Sequence, residues 1–97
     1  MKYGTYIQLM GYLTRDPIIH SGTHAQFTMC VRAEGRESYF MCTAWQGVAH
    51  ECKTAFELGD LKKGSWRYVI GTIRALENRN GYEIIVKKCL KPEEDAQ

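Results

Sequence analysis

Hydrophobic and polar positions alternate from Ser38 to Trp45: Tyr39, Met41, Thr43 and Trp45 point one way, Phe40, Cys42 and Ala44 the other. A period of two predicts a strand with Phe40, Cys42 and Ala44 turned inward. The period then changes. Val48, Ala49, Cys52, Ala55 and Phe56 recur at the spacing of one helical face, and Gly59 supplies a stop. Upstream, residues 5–13 read as a strand with Ile7, Leu9 and Leu13 on one face. Gly11 interrupts it, which predicts a bulge or bend. Thr14 to Pro17 is a turn built on Asp16-Pro17, and residues 20–24 form a second loop around Ser21-Gly22. Residues 26–33 alternate again, with Phe27, Met29, Val31 and Ala33 inward and Gln26, Thr28, Cys30 and Arg32 outward. A short loop, residues 34–37, follows. Beyond the helix, residues 65–75 form a strand with Gly71 inside it. A turn at Asn78-Arg79-Asn80-Gly81 then leads into a last strand over residues 82–90, which carries Ile84, Ile85 and Val86 and is stopped by Pro92.

The element order is therefore β-β-β-α-β-β. Five strands of this length expose unpaired edges unless the sheet curls and closes, and glycines inside the first and fourth strands permit the curl. The expected class is all-β: a five-stranded OB-fold Greek-key barrel with one helix between the third and fourth strands. The 97 residues suit a single domain, assigned to 1–91, with 92–97 as a short acidic C-terminal tail.

Composition narrows the chemistry. With 44% hydrophobic and 25% charged residues the chain is of ordinary globular type, and no apolar run is long enough to span a membrane. The apolar core of a signal peptide is absent at the N-terminus, so a cytoplasmic protein is expected. Cys30, Cys42, Cys52 and Cys89 form no C-x-x-C pair and read as buried, reduced thiols. No metal or other cofactor is expected. His20, His24 and His50 read as ordinary polar residues. Ser21, Ser38 and Ser65 lie in no nucleophile-elbow pattern and no phosphate-cradling glycine loop occurs, which argues against an enzyme.

Net charge is only +2, but it is unevenly spread. Residues 62–91 hold eight basic residues against two acids, a distribution suited to a polyanion. Tyr39 and Trp45 put two large rings on an outward face that a core does not require, and stacked nucleobases would use them.

Four stretches, taken in order, resemble the bacterial single-stranded DNA-binding protein (SSB) family. These are Ile7 to Pro17, Phe27 to Val31, Phe40, Cys42 and Ala44-Trp45 with Val48-Ala49, and Leu61-Lys62-Lys63-Gly64-Ser65 followed by Tyr68 to Gly71. The resemblance spans roughly residues 5–90. It implies sequence-independent binding of single-stranded DNA in replication, recombination or repair, and a nucleoid-associated protein. Bases would stack on Tyr39 and Trp45, with Thr43 on the same face. Arg32, Arg67, Arg74 and Lys87 would track the backbone. The family pattern is not matched throughout. The helix region is longer, the loops after the second and fourth strands are shorter, and the last hairpin carries no Trp. Glu93, Glu94 and Asp95 are acidic, but the apolar tip with which the family recruits replication and repair proteins does not follow them. A short relative of this kind also resembles the PriB-like primosomal proteins. The alternative reading is therefore an OB assembly module acting mainly through protein–protein contacts in a primosome.

Tyr6, Gln8 and Tyr12 lie outward on the first strand, an edge that pairing about a two-fold axis would close. A homodimer or, by resemblance, a homotetramer is expected.

Overall fold

The computed structural model describes residues 6–20, 23–76 and 80–92. Six strands and one helix are present: β1 (Tyr6–Leu13), β2 (Ile18–His20), β3 (His24–Ala33), β4 (Arg36–Trp45), α1 (Gln46–Glu57), β5 (Trp66–Ala75) and β6 (Tyr82–Leu90). They form one sheet in the order β1-β5-β6-β4-β3-β2, and a further β1–β3 pairing closes five of the strands into a barrel. All neighbours are antiparallel except β4 and β6. This is the five-stranded OB barrel, with α1 between β4 and β5.

The sixth strand, β2, is an addition to the expected set. Three residues are too few to show a period, yet they pair with the first residues of β3, which turns residues 18–26 into a hairpin. Of its turn, Ser21 and Gly22 lie outside the described residues, as do Thr5, residues 77–79 of the last turn and residues 93–97 of the expected tail. The β3–β4 loop is also tighter than expected. Ala33 pairs with Arg36, leaving a two-residue turn in which Glu34 (φ 55°) and Gly35 (φ 77°) both take the left-handed conformation. Such turns match the twist of the strands they join.

Both interior glycines sit where backbones cross. A Cβ on Gly11 would lie 2.2 Å from the Cys30 carbonyl oxygen, and one on Gly71 would lie 2.2 Å from that of Ile85. Gly11 marks the place where β1 turns from β5 toward β3; Gly71 marks a register shift between β5 and β6. The core fills the barrel with Leu9, Leu13, Phe27, Met29, Cys42, Ala44, Val69, Ile84 and Val86, and α1 closes one end with Ala49 and Cys52. α1 stops as the sequence indicates. Gly59 (φ 81°) donates to the Phe56 carbonyl and Asp60 to that of Ala55, the Schellman arrangement.

Candidate nucleic-acid interface

Alternation along β3 and β4 sets the outward face. Reading across the strands, the opposed outward pairs are His24–Trp45, Gln26–Thr43, Thr28–Met41, Cys30–Tyr39 and Arg32–Glu37. Registers with neighbouring strands extend three of these rows. His20 of β2 lies opposite His24, and Ile18 opposite Gln26. Tyr12 of β1 lies opposite Cys30 and, on its other side, opposite Trp66 of β5.

Two aromatic rows result. At one end His20, His24 and Trp45 stack in sequence, with centroids 4.2 Å and 4.6 Å apart and ring planes 10° and 25° from parallel. At the other, Trp66 and Tyr12 meet at 5.2 Å, tilted by 54°. Cys30 lies beyond them, covered by Tyr12 and Tyr39. The rows are separated along β3 by the six-residue step from His24 to Cys30, about 20 Å at strand rise. Between them runs an open groove of about 530 Å³, walled by Thr14, Arg15 and Asp16 on one side and by Gln26, Thr28, Tyr39 and Met41 on the other. Asp16 accepts a hydrogen bond from the Lys63 backbone N–H at 2.8 Å, which ties the groove's loop to the chain entering β5. Trp45 is 42% exposed, Tyr39 61% and Trp66 50%.

The Tyr39 hydroxyl donates to Glu37 Oε1 at 3.0 Å, and Arg32 Nε donates to Glu37 Oε2 at 2.9 Å. The bond to Glu37 and the carboxylate's charge push the Tyr39 phenol above its ordinary pKa. A hydrogen bond with Cys30 does the same to Tyr12. Arg32 also lies 6.0 Å above the Tyr12 ring, within cation–π range.

The expected site residues separate into groups. Tyr39, Trp45 and Arg32 share the β3–β4 face and remain exposed. Thr43 shares that face but is buried. Its hydroxyl donates to Glu83 Oε1 at 2.7 Å, and Glu83 accepts from Arg74 at 3.1 Å (Nε) and 2.5 Å (Nη2). Thr43 thus holds β4 to β6, while the Arg74 side chain stays exposed at the flank. Lys87 is exposed on β6, two residues past the Thr43–Ile85 pair and toward the Trp45 end.

Arg67 does not join the face. Alternation in β5 puts Trp66, Tyr68 and Ile70 outward and Arg67 inward beside Val69. Only 8% exposed, it donates to the backbone carbonyls of Trp66 and Asp60 at the end of the barrel under α1. Tyr12, expected at a subunit contact, is engaged within its own chain. His20, His24 and Trp66 were not among the expected site residues. The only sequence signal for the histidines is that they flank a short turn, which places them opposite one another in a hairpin.

No protein-family model matches the chain, and no curated protein matches its sequence. Solved structures match its fold. It superposes on the second single-stranded DNA-binding protein (SSBb) of Mycobacterium smegmatis with a TM-score of 0.73, over 90% of this chain and 87% of that one, at 16% identity. The SSB domain of a Synechococcus sp. protein gives 0.73 over 93% and 98% of the two chains, at 11% identity. At these identities what is shared is the fold: the chain has the OB architecture of single-stranded DNA-binding proteins.

Proposed function

We propose that this protein binds single-stranded DNA without sequence preference, in support of DNA replication, recombination or repair. The observation that carries the reading is the pair of aromatic rows, open to solvent on one face and joined by a groove. Bases stack on Trp45, Tyr39 and the Tyr12–Trp66 pair, each contributing about 1–3 kcal/mol. Arg15, Arg32, Arg74 and Lys87 border the same face and meet phosphates. Arg67 and Thr43 act through the fold. The names of the fold neighbours agree with this reading.

The protein acts as a homodimer or homotetramer in this proposal. From Tyr6 to Gly11, β1 is paired with β5 on one side, and its β3 pairing begins only at Tyr12. Tyr6 and Gln8 lie on that stretch, with the Tyr68 hydroxyl donating to Gln8 Oε1. A second copy pairing there would satisfy the free strand edge.

The test is a titration of intrinsic Trp fluorescence with oligo(dT) at low and then moderate salt. Strong quenching that reverses with salt is expected, with a log–log slope of about −0.7 per neutralised phosphate. A folded protein that shows no quenching at low salt overturns the reading and leaves the protein–protein assembly module.

A further inference from the structure

We propose that His24, backed by His20, is a positioning residue for Trp45 and makes this end of the interface respond to protons. The proposal rests on the single-strand-binding reading. His20, His24 and Trp45 are directly opposed across β2, β3 and β4, and their rings form one continuous stack. His24 covers one face of the indole. Trp45 remains 42% exposed, and in this proposal a base loads onto that open surface while His24 braces the ring against rotation.

Polar contacts fix the imidazoles. The Thr23 hydroxyl donates to the His20 carbonyl at 3.0 Å, so its oxygen accepts from His24 Nδ1–H at 3.2 Å. His20 Nε2–H donates to Gln26 Oε1 at 3.0 Å. His24 Nε2 and His20 Nδ1 are thereby the nitrogens left to take up a proton. The neighbours contributed by β3, β4 and the start of α1 are Thr23, Gln26, Trp45 and Gln46, all uncharged. Among the described residues no carboxylate is ion-paired with either ring. Lys87 is the cation that the β4–β6 register sets toward this end.

Imidazole is the side-chain type whose charge changes between about pH 5 and 8. Two charged rings stacked this closely would repel each other. A single imidazolium in the stack does two things. It grips the indole by a cation–π contact, and it adds one positive charge beside the bound strand.

The experiment measures fluorescein-labelled oligo(dT) binding by anisotropy at pH 7.5 and 5.5 over a salt series. Thymine does not titrate in this range. For the native protein the Kd is expected to fall several-fold at pH 5.5, with the salt slope steeper by about 0.7, one added phosphate contact. The His20→Phe/His24→Phe variant keeps stacked rings that take up no proton, so whatever its affinity at pH 7.5, the gain and the steepening at pH 5.5 disappear. His50→Gln, on the exposed side of α1, retains it. The same pH response in the double variant, or none in the native protein, overturns the proposal. A native protein that binds oligo(dT) at neither pH overturns the single-strand reading itself. A second measurement needs no variant: linkage requires bound DNA to raise the titration midpoint of one imidazole, followed by NMR of its ring protons. Unmoved midpoints overturn the proposal.

Discussion

Tyr12 and Trp66 face each other across the β1–β5 pair with ring centroids 5.2 Å apart, and Arg32, arriving from β3, lies 6.0 Å above the Tyr12 ring. Three strands thus converge on one aromatic–cationic cluster at the far end of the groove from Trp45. In the proposed function such a cluster would be a second place for a base to rest, giving the face two anchor points.

Removing either anchor should weaken binding without unfolding the barrel. Trp45→Ala and Trp66→Ala are each expected to cost about 1–3 kcal/mol, roughly 5- to 150-fold in Kd. Circular dichroism should stay unchanged, because both rings stand outside the core. Anisotropy with oligo(dT) of graded length checks this, and Trp66→Ala should also shorten the minimal oligonucleotide bound. Unchanged affinity for both variants would remove these rings from the interface.

Arg67→Ala is expected to behave in the opposite way. The buried guanidinium satisfies the Trp66 and Asp60 carbonyls, and truncation leaves buried acceptors unpaired at about 1–3 kcal/mol. The urea midpoint should fall, while oligo(dT) affinity of the folded protein stays within about twofold. A large loss of affinity with unchanged stability would return Arg67 to the groove.

Two glycines predict contrasting stability changes. Gly71→Ala forces a Cβ against the Ile85 carbonyl and should destabilise by about 1–3 kcal/mol or more. Gly47, within α1, has nothing within 4 Å of an added Cβ. Gly47→Ala should therefore stabilise, by up to about 1 kcal/mol. Chemical denaturation of the two variants side by side is the check.

The thiols predict an alkaline limit to stability. Burial pushes Cys42 and Cys52 up to about 12 and Cys89 to about 11, from an ordinary value of 9.0. In the unfolded chain these groups ionise near 9; in the native protein they stay protonated. Their contribution to stability is therefore complete below pH 9 and is lost as pH rises toward 11–12. Urea midpoints between pH 8 and 10.5 should fall, and less steeply in Cys42→Ala. The same thiols should be inert to alkylation at pH 8 until the protein is unfolded.

Much of the architecture was legible from local pattern. Alternation in residues 38–45, the helical stripe ending at Gly59 and the two strand glycines each express a constraint that lies within a few consecutive residues. They sufficed for the barrel, the position of α1 and the outward orientation of Tyr39 and Trp45. What a short segment cannot show is which residue of another strand lies opposite. Three-residue β2 carries no period of its own; only pairing with β3 makes it a strand and brings His20 onto His24. The inward turn of Arg67 follows from its alternation with Val69, but its tolerance there depends on the Asp60 carbonyl, delivered by the end of α1. Thr43 has the parity of a surface residue yet is buried, its hydroxyl on Glu83 of β6, which Arg74 of β5 holds in turn. The sequence by itself determined the five barrel strands and the helix, their order and the face that carries Tyr39 and Trp45. The tertiary structure decided the cross-strand register, and register sets which rings stack and where the groove runs, because those contacts join residues that are remote along the chain.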